Sequence, residues 1–165
     1  MGIQFQFSDN IQSIKNHPKT EIYQTHLNSF LETIESKDHG FFRINNDAGL
    51  IDRSEAVYEK FKSKKYFIHV GIGGSSLGTE TLVKSLGKPS LKNRIFFINN
   101  IDPDDIRDTL DKVDLKESLF FFVSKSGGTA ETIASFNLIF SSFKENGFKE
   151  DYFYKNIVIA TDPKN

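Results

Sequence analysis

The stretch Tyr66-Phe67-Ile68-His69-Val70-Gly71-Ile72-Gly73-Gly74-Ser75-Ser76-Leu77-Gly78 decides the fold. A short apolar run breaks into a turn of glycine and serine, and a helical pattern over residues 76–86 follows. About fifty residues on, the same grammar recurs. The apolar residues 119–123 lead into Ser124-Lys125-Ser126-Gly127-Gly128-Thr129-Ala130-Glu131-Thr132, ahead of a helical pattern over 129–143. A turn that leaves a strand and opens a helix presents free backbone N–H groups and the positive end of the helix dipole, which together suit an anion such as phosphate. Two such turns in one domain, one carrying a lysine, point to a phosphorylated small molecule.

Working outward, the apolar runs at 66–70, 94–98, 119–123 and 157–161 are rich in β-branched and aromatic residues. They alternate with helical patterns at 76–86, 103–110 and 129–143, the last placing Ile133, Phe136, Phe140 and Phe143 on one stripe. Near-continuous apolar strands alternating with helices predict an α/β fold: a three-layer arrangement with a parallel sheet flanked by helices. Ligands of such sheets bind outside the carboxyl ends of the strands, where both glycine turns fall. Upstream, Leu27, Phe30, Leu31 and Ile34 recur at i, i+3, i+4 and i+7, which predicts an amphipathic helix with one buried face within 18–36. A weaker helical stretch covers 53–62, with Val57, Tyr58 and Phe61 as its apolar side, and Ile3, Phe5 and Phe7 alternate as in a short edge strand or an ordered arm. The expected organisation is a small helical lead-in over 1–62 and an α/β domain over 63–165, the latter truncated at its C-terminal end.

Composition narrows the function class. A formal net charge of −1 argues against a general nucleic-acid binder, which carries a basic stripe. No cysteine is present, which excludes disulfides and cysteine-ligated zinc. The N-terminus lacks the basic and apolar regions of a signal peptide, and no run approaches the roughly 20 apolar residues of a membrane span. A soluble cytoplasmic protein with no membrane or nucleic-acid partner is the expectation.

Glycine at 71, 73 and 74 lets the backbone turn tightly and approach a ligand, while Ser75 and Ser76 can cap the next helix or donate hydroxyls. The plainer reading is a structural strand-to-helix turn. Two nucleotide motifs fail on spacing: Ser76 stands where a dinucleotide fingerprint needs its third glycine, and Thr79-Glu80 follows Gly78 where a phosphate loop needs lysine. The second turn is richer. Ser124, Ser126 and Thr129 offer three hydroxyls at a helix start, and Lys125 adds a positive charge. Thr129, Glu131 and Thr132 also read as ordinary capping chemistry.

The segments V-G-I-G-G-S-S-L-G, F-F-I-N-N-I-D and F-V-S-K-S-G-G-T-A-E-T, continuing into Ile157-Val158-Ile159-Ala160-Thr161-Asp162-Pro163, resemble the phosphoglucose isomerase family within the sugar isomerase (SIS) fold. The resemblance runs over residues 66–165, and the two turns together carry its specificity. It implies a domain that binds glucose 6-phosphate or fructose 6-phosphate. Gly74 and Ser75 would lie against the sugar, and Ser124, Lys125, Ser126, Gly127, Gly128 and Thr129 would form the phosphate cradle. Many members read S-K-T-F-T-T at the second turn. Here Ser126 keeps a hydroxyl and Gly128 loses one, so Ser124 and Thr129 carry more of the implied role. The family interconverts its two substrates by moving a proton between C1 and C2 through a cis-enediol. Its glutamate base and its ring-opening histidine and lysine belong to motifs not matched here. The resemblance therefore implies an N-terminal portion of a longer, homodimeric enzyme, inactive alone and needing no cofactor. A non-catalytic SIS domain that senses a sugar phosphate is the alternative.

The remaining titratable groups add little. His17, His26, His39 and His69 show no metal-ligand spacing, and each reads as structural, His69 within a strand. Asp102, Asp104 and Asp105 beside Pro103 read as a helix start that complements its dipole.

Overall fold

A computed structural model describes residues 20–35 and 47–162. The chain divides into two compact units, Met1–Val57 and Tyr58–Asn165. The edge strand expected around Ile3, Phe5 and Phe7 lies outside the described residues, as do His17 and His39.

Helix α1 (Thr20–Glu35) and helix α2 (Ala48–Phe61) form where the helical periodicities fall. Of the α1 stripe, Leu27, Phe30 and Leu31 are not buried as expected but each about half exposed. His26 is exposed as well. Helix α2 starts five residues earlier than its apolar pattern, at Ala48, where the Asp47 carboxylate accepts from Leu50 N–H at 3.1 Å. Phe61 alone of its predicted apolar side is buried.

The second unit alternates strand and helix. In chain order come β1 (Tyr66–Val70), a 3-10 turn at Gly73–Ser75, α3 (Leu77–Leu86), a single turn α4 (Pro89–Lys92) and β2 (Ile95–Ile98). Then follow α5 (Pro103–Leu110), a 3-10 turn at Leu115–Glu117, β3 (Ser118–Val123), α6 (Ala130–Glu145), α7 (Glu150–Lys155) and β4 (Ile157–Ala160). All pairings are parallel, in the order β2-β1-β3-β4. From β1 the chain crosses to β2 on one side; from β3 it crosses to β4 on the other. Right-handed crossovers in opposite directions place α3 on one face of the sheet and α6 on the other. The predicted α/β sheet with helices on both faces is thereby formed.

Side chains of a strand alternate between faces, and the main core lies on the α6 face. There Ile68, Val70, Ile98, Phe120 and Phe122 pack with Ile106, Leu110, Ile139, Phe143 and Phe153. Phe120 and Phe143 meet edge to face at 5.5 Å between ring centroids, and Phe143 and Phe153 at 5.1 Å. Each phenylalanine buried in this way contributes about 1.5–3 kcal/mol, so these three anchor α6 and α7 to the sheet. The buried line of α6 is Thr132, Ser135, Ile139 and Phe143. It is rotated from the predicted stripe, leaving Ile133 46% exposed and Phe136 and Phe140 partly buried. The bulky residues fill the margins of the interface, while the small Thr132 and Ser135 face inward.

Candidate functional site

Strands β1 and β3 are neighbours, with Val70 opposite Phe122. The two glycine turns therefore leave adjacent strands at the carboxyl end of the sheet. They do so at the position where successive crossovers diverge, and α/β sheets open a ligand crevice at such a switch point. The sequence supplies the turns, and the topology brings them side by side.

In the first turn, Gly71 N–H donates to the Ile98 carbonyl and ends the β1–β2 ladder. A Cβ on Gly71 would lie 2.7 Å from the Ser75 carbonyl oxygen, so no larger residue fits beneath the turn. Gly73 takes φ of +55°, the left-handed conformation that glycine adopts freely. Ser75 N–H donates to Ile72 O at 3.1 Å, and Ser76 N–H to Gly73 O at 3.0 Å, closing the 3-10 turn. A Cβ on Gly74 would meet nothing within 4 Å, so Gly74 fronts open space. Ser76 stands at the N-cap of α3 without capping it; its hydroxyl is buried and has no hydrogen-bond partner. Ser75 is half-buried.

In the second turn, Ser124 N–H donates to Ala160 O at 3.0 Å, extending the β3–β4 ladder by one residue. The hydroxyls of Ser124 and Thr129 lie 2.9 Å apart and share a hydrogen bond. Ser124 is buried and Thr129 half-buried. Thr129 is the N-cap of α6, yet its side chain bonds no helix amide. The capping expected of it is not made; its hydroxyl bonds Ser124 instead. The first intrahelical bond runs from Ile133 N–H to Thr129 O, so the preceding amides have no acceptor within the helix. Ser126 Oγ accepts from Gly128 N–H at 3.2 Å, and Gly127 holds φ of +67°, folding the turn back on itself. The Lys125 side chain is exposed, while its carbonyl accepts from Asp162 N–H at 3.2 Å. Beside the turn lies a cleft of about 110 Å³ lined by Ser124, Gly127, Thr132, Ile133, Phe136 and Thr161 among others. The Thr132 hydroxyl is buried nearby with no partner, a group that sequence reading treated only as a capping residue.

The middle segment of the resemblance, Phe96 to Asp102, has a structural task. Asp102 caps α5, its carboxylate accepting from Asp104 N–H at 2.9 Å, and Asn100 accepts from Asp102 N–H while donating to Asp105. Between β2 and α3, Asn99 donates to Glu80 Oε2 at 3.2 Å and Lys84 donates to Glu80 Oε1 at 2.6 Å. The bonded Lys84 ammonium, helped by Asn99, holds the Glu80 carboxyl below the usual carboxylate range against the opposing effect of burial.

A larger cleft of about 450 Å³ lies at the opposite end of the sheet, among Leu110, Asp111, Asp114, Lys116, Ser142 and Asn146. The C-termini of α5 and α6 face it, so their dipoles present negative ends there. That end disfavours a phosphate; the end with the glycine turns favours it.

Comparison with known proteins bears on the family of the chain. The family model described as phosphoglucose isomerase matches residues 16–164. The glucose-6-phosphate isomerase of Borreliella afzelii (strain PKo) is 40% identical over 124 residues, covering 72% of this chain and 23% of the relative. That of Campylobacter jejuni is 32% identical over 122 residues, covering 73% of this chain and 30% of the relative. Among solved structures, a glucose-6-phosphate isomerase from Chlamydia trachomatis superposes with a TM-score of 0.58 at 28% identity, over 68% of this chain and 22% of that one. A hypothetical protein from Thermus thermophilus superposes with a TM-score of 0.70 at 25% identity, over 90% of this chain and 37% of that one. The chain thus spans about a quarter of the length of the curated relatives it matches. By the extent of this match, the chain belongs to the phosphoglucose isomerase family.

Proposed function

We propose that this chain is the sugar-phosphate-binding portion of a glucose-6-phosphate isomerase, which interconverts glucose 6-phosphate and fructose 6-phosphate by proton transfer through a cis-enediol. The observation that carries the reading is the shared hydrogen bond of Ser124 and Thr129 at the uncapped start of α6. Two hydroxyls already held together, beside amides with no helix acceptor, form a cradle that a phosphate dianion completes. Ser126 and the backbone of Lys125, Gly127 and Gly128 form the rest of its wall, and the Lys125 ammonium balances charge from the solvent side. Gly74 and Ser75, on the neighbouring turn, face the sugar. Residues 63–165 act as the binding domain and 1–62 as its lead-in. The proton-transferring base and the ring-opening groups are supplied from outside this chain, in a cytoplasmic homodimer, and the isolated chain does not turn over substrate. No cofactor takes part in this scheme, and neither nucleic acid nor membrane is a partner. Among the described residues, no helix is long and apolar enough to cross a membrane.

The test is thermal unfolding of the chain with glucose 6-phosphate, with inorganic phosphate and with glucose. A ligand that binds only the native state raises the midpoint with concentration. The expected result is a larger rise with the sugar phosphate than with either control. Equal midpoints for glucose 6-phosphate and phosphate in a folded sample would refute binding by this portion.

A further inference from the structure

His69 is the one histidine in the apolar run of β1, and it does not face the main core. Its ring lies on the sheet face opposite Ile68 and Val70, in register with Phe97 of β2 and Phe121 of β3. The ring centroids of those two phenylalanines are 5.5 and 5.7 Å away, and His69 is only 6% exposed. An imidazole buried in a row of aromatic rings is costly unless its polar atoms are paired. Here Nε2 lies 2.7 Å from the carbonyl oxygen of Ser75. A carbonyl only accepts, so Nε2 carries the hydrogen and donates it.

That carbonyl is the pivot of the first glycine turn. On one side it packs over Gly71, close enough to forbid a Cβ; on the other it is tied to His69. The 3-10 turn is held internally by only two backbone bonds, from Ser75 to Ile72 and from Ser76 to Gly73. The side-chain bond from the sheet fixes this small turn against the strand beneath it. We propose that His69 is a positioning residue: its Nε2–H holds the Ser75 carbonyl, and so sets the direction in which Gly74 and Ser75 face their ligand. What the turn presents to that ligand rests on the sugar-phosphate reading above; the clamp itself does not.

Two variants and one wild-type measurement test the clamp. His69→Phe keeps an aromatic ring between Phe97 and Phe121 but removes the donor, whereas His69→Gln keeps an N–H at about the same reach. Hydrogen exchange is followed at the amides of Ser75 and Ser76 and, as a control, in β1 and β3. The expected result is exchange about tenfold faster at the turn in His69→Phe, with strand protection unchanged, and recovery toward wild type in His69→Gln. Unchanged turn exchange in His69→Phe, or equal loosening in both variants, overturns the proposal. Should His69→Phe fail to fold, the wild-type imidazole nitrogens decide by NMR: a protonated, slowly exchanging Nε2 supports the clamp, and a bare Nε2 overturns it. Adding glucose 6-phosphate tests the functional reading separately. A wild type that responds no more than to inorganic phosphate refutes that reading, while the exchange pattern still decides whether His69 clamps the turn.

Discussion

Ser124 and Thr129 are placed to act as one unit, because each hydroxyl is already the other's partner. On the proposed function, Ser124→Ala or Thr129→Ala in an enzyme that carries this portion is expected to raise KM roughly tenfold or more, the worth of one hydrogen bond to a charged group, with a smaller change in kcat. A normal KM in both variants would remove the cradle from this turn. The glycines separate folding from binding. Gly71→Ala forces a Cβ against the Ser75 carbonyl and is expected to cost about 2 kcal/mol in urea unfolding, an overpacking penalty. Gly74→Ala meets open space and is expected to stay within about 0.5 kcal/mol of wild type, yet to weaken sugar-phosphate binding. These residues were legible in the sequence because glycine and hydroxyl patterns mark turns by composition. His69 was not. A single histidine in an apolar run is indistinguishable from a paired core residue until the partner carbonyl, six positions later, is located in space.

At the scale of elements, the strands and long helices were readable because their patterns are local. The predicted α5 at 103–110 forms with the same bounds, since Asp102 and Pro103 mark its start by capping and fixed φ. Helix α7, six residues rich in aromatic side chains, carried no periodicity to read; it exists because Phe153 seats in the core. The rotation of the α6 stripe is likewise a tertiary effect: Thr132 and Ser135 are buried, and Phe136 and Phe140 are only partly so. Helix α3 gives a prediction on pH. The Lys84 hydrogen bond lowers the Glu80 carboxyl in the folded chain, so the ionised form is favoured by folding. That stabilisation is present above the ordinary glutamate range and is lost as pH falls through the depressed folded value. Glu80→Gln should therefore lower stability at neutral pH, converge on wild type under acid, and leave a shallower acid limb. Parallel stability curves across that range would show that the bridge to Lys84 and Asn99 contributes nothing.

For the molecule as a whole, the order of the sheet was not in the sequence. Four strands and three crossovers are readable, but which strand lies beside which depends on packing that no local pattern carries. That order makes β1 and β3 neighbours and sets β4 beside β3 alone among the described strands. Ile159 of β4 is 59% exposed, and Ile133, which lines the same cleft, is 46% exposed. A strand edge with an apolar side chain beside it is a template for pairing with another chain. The isolated chain is therefore expected to self-associate through β4, with a sedimentation coefficient that rises with concentration. Ile159→Lys places a charge on that margin, where natural edge strands often carry lysine, and should flatten the rise while leaving the unfolding midpoint nearly unchanged. Association as strong in Ile159→Lys as in wild type would place the sticky surface elsewhere than on β4.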